Sequence, residues 1–180
     1  MPTPDSVAIV SELSSLCTEA QQSAASLYFG RPPIDKAAAT RIYRNIKKRM
    51  YTMFITPFER DSILIIVSQL YDLTLALNFA NFERYKRGAP LCGNAHRISG
   101  KIVSCITQIG GCISCFGSIK RNSGVEMAKI NDLEDAVLSL LEDSSCLYSG
   151  MDPVNRTIVD SIAALRRCVF TLDYFAVING

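Results

Sequence analysis

The stretch TMFITPFERDSILIIVSQLYDLTLALN, residues 52–78, holds a chain break and the helix that follows it. Thr56-Pro57-Phe58-Glu59 combines a capping hydroxyl, a proline at the first helical position and an acid three residues after the cap, which together mark a helix start. From there Ile63, Ile66, Leu70, Leu73 and Leu77 recur at intervals of three and four, the period of one buried helical face. The pattern predicts a third helix from this start to about Lys86, where Gly88 and Pro90 interrupt it.

The same period extends outward on both sides. Upstream, Val10, Leu13, Cys17, Ala20, Ala24 and Leu27 predict a first helix over about 5–28, ended by Gly30 and Pro32-Pro33, and a second runs from about Asp35 to Thr52. Downstream, Ile102, Cys105, Ile109, Cys112, Phe116 and Ile119 mark a fourth, and Ile130, Leu133, Val137, Leu140, Ser144 and Leu147 a fifth. Asp152-Pro153 repeats the cap-plus-proline start, and Ile158, Ile162, Leu165, Val169, Leu172 and Ala176 stripe a sixth. No stretch alternates with period two. The expected fold class is all-α: six long antiparallel helices in two three-helix halves, 1–88 and 89–180, forming one elongated bundle over a single domain, 1–180.

Composition narrows the chemistry. Of 180 residues, 48% are hydrophobic and 20% charged, which is globular rather than disordered composition. One histidine, His96, excludes a His-rich metal site and leaves few routes to general acid–base catalysis, so no enzyme is expected. The longest aliphatic run, Ile63 to Val67, is five residues against the ~20 of a spanning helix, and the N-terminus lacks a basic, apolar leader. The chain therefore reads as cytoplasmic, and its seven cysteines as reduced thiols.

The net charge of +2 conceals a sharp partition. The second helix carries Lys36, Arg41, Arg44, Lys47, Lys48 and Arg49 with no acid between 36 and 52. The fifth carries Glu126, Asp132, Glu134, Asp135, Glu142 and Asp143 against Lys129. Arg41, Arg44 and Lys48 share a face. One reading is a solvated face, partly neutralised by the acidic helix of the same molecule or of a symmetry mate. The other is a partner-binding surface for anionic lipid head groups, phosphate or acidic protein loops. Nucleic acid fits less well, because only Tyr43 and Tyr51 lie nearby and no nucleic-acid module surrounds them.

Cys92, His96, Cys112 and Cys115 form a C-x3-H and C-x2-C set of the kind zinc accepts. On a continuous helix His96 and Cys112 stand roughly 24 Å apart by the 1.5 Å rise, so a break at Ser99-Gly100 or Gly110-Gly111 would be needed. Cys105 and Cys112 also fall on the core stripe, and packing is the favoured reading. Gly110-Gly111 inside a helical pattern points to close approach by another helix.

Phe54-Ile55-Thr56-Pro57, Glu59-Arg60-Asp61 and the region of Asp72 together resemble PhoU-like proteins, in the branch associated with inorganic-phosphate permeases. Weaker similarity reaches Ile130-Asn131-Asp132-Leu133-Glu134 and Asp152-Pro153. The resemblance implies a helical bundle that regulates phosphate transport at the cytoplasmic face of a permease, peripheral to the inner membrane and commonly dimeric. It also implies metal clusters on Glu-x-x-x-Asp pairs, whose spacing puts two carboxylates on one helical face. This chain departs from those pairs: Lys36 and Thr40, Tyr71 and Leu75, Leu138, and Arg166 and Phe170 stand at family carboxylate positions. A retained divalent or ferric ion would fall to Asp72 and Glu134, which defines the alternative expectation of a metal-binding bundle, whether for metal storage or as a metal-dependent enzyme.

Overall fold

The computed structural model describes residues 4–53, 59–91, 93–116, 123–148 and 152–179. Among these residues the regular structure is six α-helices and a 3-10 turn, with no strand. The helices are α1 (Pro4–Tyr28), α2 (Ala37–Thr52), α3 (Arg60–Arg87), α4 (Gly93–Ser114), α5 (Ser123–Ser144) and α6 (Pro153–Asn179), the turn being Ser145–Leu147.

The helix ends show where local chemistry departs from expectation. α3 begins at Arg60, with Glu59 in extended backbone as its cap and the Glu59 carboxylate accepting from the Ser62 N–H at 2.9 Å. A carboxylate thus does the work expected of the Thr56 hydroxyl, adding negative charge at the positive end of the helix; Thr56 and Pro57 lie outside the described residues. α3 closes on Gly88 at φ 65°, the left-handed cap that glycine adopts without a Cβ penalty. α6 starts at Pro153, where the Asp152 side chain accepts from the Val154 N–H at 3.0 Å.

The helix-period stripes are the core. Leu13, Cys17, Ala20, Ala24 and Leu27 of α1 are buried, as are Ile63, Ile66, Leu70, Leu73 and Leu77 of α3. The α6 stripe from Ile158 to Ala176 and the α5 stripe from Ile130 to Leu147 are buried throughout. Each fully buried Leu or Ile contributes about 1.5–3 kcal/mol relative to exposure. Phe116 and Phe175 stack at 4.4 Å between ring centroids, closing one end of the core.

Helices consecutive in the chain run antiparallel, as do α3 with α6 and α1 with α4, whereas α1 and α3 pack parallel, their C-terminal ends meeting where Arg84 donates to the Arg31 carbonyl. Thr40 and Tyr71 tie α2 to α3, Gln69 and Arg167 tie α3 to α6, and Gln21 and Thr107 tie α1 to α4. α3 packs against α1, α2 and α6; α6 packs against α3, α4 and α5; α1 packs against α2, α3 and α4. α2, α3, α6 and α5 therefore lie side by side in that order as one layer, backed by the antiparallel pair α1 and α4. α2 and α5 occupy opposite edges and do not touch.

Two glycines permit close approach. A Cβ at Gly100 would meet the Tyr28 ring at 2.9 Å, and one at Gly110 would sit 3.4 Å from the Cys17 sulfur. Gly111, by contrast, faces open space. The expected close helix approach is thus made by Gly110 and not by its neighbour. α3, with 28 residues, is long and apolar enough to cross a membrane by length and composition alone, a test that the core helix of a bundle also passes, and 44% of its most apolar window is buried.

Candidate functional site

The structure starts α2 one residue after Lys36, and the six cations of this segment, Lys36 at the cap and five within α2, divide into two groups. Arg49 turns toward α1, pairing with Glu12 at 3.4 Å and Asp5 at 4.0 Å. Lys47 lies over the Tyr43 ring and donates to its hydroxyl at 3.3 Å. Lys36, Arg41, Arg44 and Lys48 are exposed and have no ion-pair partner among the described residues. Burial of Ala39, Ile46 and Met50 fixes the helix so that Arg41, Arg44 and Lys48 point outward together. The arrangement concentrates positive charge on one edge of the four-helix layer.

Intramolecular neutralisation by α5 is ruled out by the layering. Each charged helix instead pairs one residue with its neighbour in the backing pair, α2 with α1 through Arg49 and α5 with α4 through Asp143. Arg97 donates to Asp143 at 2.8 Å and Lys101 donates to the same carboxylate oxygen. Those two hydrogen bonds, Lys101 first, hold the Asp143 carboxyl below its usual range.

Asp72 and Glu134 are not brought together. Asp72 is exposed on α3 and Glu134 half-buried on α5, and these helices do not pack on each other. Desolvation, then Asp173 and Asp135 nearby, raise the Glu134 carboxyl above its usual range. Among the described residues no group of three or more His, Cys, Asp or Glu side chains is placed to hold a metal ion. The seam where the resemblance places the first carboxylate pairs is occupied by neutral groups: Thr40 and Tyr71 share a 3.0 Å hydrogen bond, and Tyr43 stacks on Tyr71 at 4.3 Å.

The thiol–imidazole set is likewise dispersed. α4 is unbroken from Gly93 to Ser114, so His96 and Cys112 stay more than four turns apart, while Cys92 lies outside the described residues. His96 instead stacks on Tyr28 at 4.4 Å. Cys17, Cys105, Cys112 and Cys168 are buried free thiols. Burial pushes Cys17 up to about 12 and Cys105 up to about 11, and raises Cys112 and Cys168 as well. Thiols held protonated in this way are poor nucleophiles and poor metal ligands.

A cavity of about 400 Å³ opens where α3 ends and α4 and α6 begin, with Arg84, Arg87, Asn94, Asp152 and Asn155 in its wall. Its charges are already engaged: Arg87 pairs with Asp152 at 2.6 Å, and Arg84 donates to the Arg31 carbonyl and the Asn81 side chain. Residue patterning missed a second exposed feature. Ile65, Phe79 and Phe82 on α3, Phe170 and Tyr174 on α6, and Leu138 on α5 are each about half exposed or more, with Phe170 at 70%. Their signal was present as large apolar residues off the core stripe, and Leu138 and Phe170 are two of the positions where the resemblance would place carboxylates. No protein-family model matches the chain, and no curated protein matches it.

Proposed function

We propose that this chain is a non-enzymatic binding protein that docks through the Arg41, Arg44 and Lys48 face of α2 onto an acidic protein surface. The resemblance noted in its third helix makes the cytoplasmic side of an inorganic-phosphate permease the surface it fits, so that the chain acts as an accessory of phosphate uptake. The observation that carries this reading is the set of outward α2 cations without carboxylate partners among the described residues. Charges of this kind steer association and choose partners. The neutral Thr40–Tyr71 seam supports binding over metal chemistry at that place.

The test is co-purification with the permease and measurement of phosphate uptake. Arg41→Glu, Arg44→Glu and Lys48→Glu combined should weaken capture about tenfold or more and lower regulated uptake, with helicity unchanged. Uptake and its regulation unaltered by deletion of the whole chain would refute the reading. A second reading, a metal-binding bundle, draws on Glu134 lying near Asp173 across the α5–α6 seam. Metal that co-purifies with the protein and is lost on Glu134→Gln would favour it.

A further inference from the structure

The two thiols of the C-x2-C motif stand together at the C-terminal end of α4. There the Cys115 N–H donates to the Cys112 carbonyl at 3.1 Å and the Phe116 N–H to the Ile113 carbonyl at 3.1 Å, so the helix ends through two successive three-residue turns. In such a turn the side chains of residues i and i+3 eclipse, and three steps of 2.0 Å set their Cα atoms about 6 Å apart. That separation lies inside the range of roughly 4.4–6.8 Å that a disulfide spans. The two thiols differ in access: Cys112 is 6% exposed on the core stripe, whereas Cys115 is half-buried at the surface end of the pair. Among the described residues the other thiols are placed differently. Cys105 sits two turns earlier on α4, Cys17 and Cys168 are buried on α1 and α6 beside Cys112, and Cys146 lies at the opposite end of the bundle. Gly110 and Gly111 come just before the pair, and Gly111 faces open space, so packing does not account for it. Two glycines at that place lower the cost of adjusting the backbone that carries Cys112.

We propose that Cys112 and Cys115 are a reversible oxidation site, which takes hydrogen peroxide and closes to a disulfide across the last turn of α4. Cys115, the thiol that solvent reaches more readily, reacts first. Its thiolate attacks one peroxide oxygen, the O–O bond breaks, the sulfur becomes a sulfenic acid and the other oxygen leaves as hydroxide. The Cys112 sulfur then attacks the sulfenic sulfur. The S–S bond forms, the S–O bond breaks, and the Cys112 proton leaves with that oxygen as water. In sum two thiols lose two hydrogens and one peroxide becomes two waters; a dithiol reductant returns both thiols. Burial, and Cys115 beside it, raise the Cys112 thiol, which makes it a poor nucleophile toward reagents in solution. An electrophile held on the adjoining turn is met at a far higher effective concentration, so the same burial suits Cys112 to the second step and not to the first.

The test uses the folded full chain in a Cys146→Ser background, which removes the exposed thiol at the far end. The protein is reduced, freed of reductant, treated with a small excess of hydrogen peroxide and followed by intact mass and by trapping with dimedone, which labels sulfenic acids. The parent should become lighter by two hydrogens per chain and regain them with dithiothreitol. Fragmentation of its tryptic peptide 102–120, which holds Cys105, Cys112 and Cys115, should place the bond between Cys112 and Cys115. Cys112→Ser should stop after the first step and take dimedone at Cys115. Cys115→Ser should lose no hydrogens at the same dose. A parent that keeps its thiols, or whose Cys115 passes to the sulfinic acid without a disulfide, overturns the inference. So does a bond mapped to Cys105 or to any other thiol, and so does a folded Cys112→Ser protein without the dimedone adduct. Should Cys112→Ser lose helicity, the peptide map of the oxidised parent decides alone. None of these readouts involves α2 or its partner, so the site stands or falls apart from the docking reading.

Discussion

Arg84 is only 6% exposed, and its guanidinium donates to the Arg31 carbonyl at 2.8 Å and to the Asn81 side chain. With Asn78, which exchanges two hydrogen bonds with the Ile34 backbone, it clamps the loop between α1 and α2 onto α3. Arg84→Ala removes a buried guanidinium that donates to both the Arg31 carbonyl and the Asn81 side chain and should cost about 2 kcal/mol, or roughly 4–8 °C in Tm by calorimetry. The glycines separate packing from propensity. Gly111→Ala, facing open space, should stabilise by up to about 1 kcal/mol, whereas Gly100→Ala must displace the Tyr28 ring and should lower the Tm despite the same gain in helix propensity. Native labelling with a maleimide at pH 8 should modify the exposed Cys146 within minutes. It should spare Cys17 and Cys168 until the protein is unfolded, since burial keeps those thiols protonated. Equal labelling of all three would show that the core opens readily.

Two carboxylates on α5 answer acid in opposite senses. The Asp143 carboxyl lies below its unfolded value because Lys101 and Arg97 donate to it, so its stabilisation is present above the unfolded pKa and fades as pH falls through the folded one. Glu134 lies above its unfolded value, so its ionisation costs stability at neutral pH and that cost vanishes on acidification. Melts at pH 7 and pH 4 should therefore show Asp143→Asn lowering the Tm mainly at pH 7, and Glu134→Gln raising it slightly there and not at pH 4. Sequence periodicity located the α5 stripe, because a buried face repeats every three or four residues whatever lies beyond it. It could not distinguish Asp143, turned to α4, from Glu134, turned to α6, since both lie beside the same stripe. The start of α3 was misplaced for a related reason: Thr56 and Glu59 are both good caps, and which one serves depends on how the chain enters the helix.

At the scale of the whole molecule, six helices and an all-α bundle follow from the spacing of Leu, Ile and Cys along the chain. The order of helices within the layer does not follow from it, because that order depends on which flanks meet: Tyr71 on Tyr43, Gln69 on Arg167. Once α2 and α5 stand at opposite edges, the basic and acidic runs become the borders of one face rather than a pair that cancels, and the +2 total hides two fields instead of averaging them. Salt should then act on docking more than on folding: raising ionic strength to about 1 M, where screening acts within ~3 Å, should weaken capture of an acidic partner while leaving the helical signal unchanged.

The position of α3 has a consequence during synthesis. It packs along α6, which begins some 65 residues downstream of its end. At about 5–20 residues per second the ribosome needs roughly 3–13 s to deliver the start of that partner. Throughout this interval a helix long and apolar enough to enter a bilayer has only α1 and α2 to shield it. Until α6 arrives, the face that α3 turns to it stays uncovered, so docking on α1 and α2 is the first shelter the helix has.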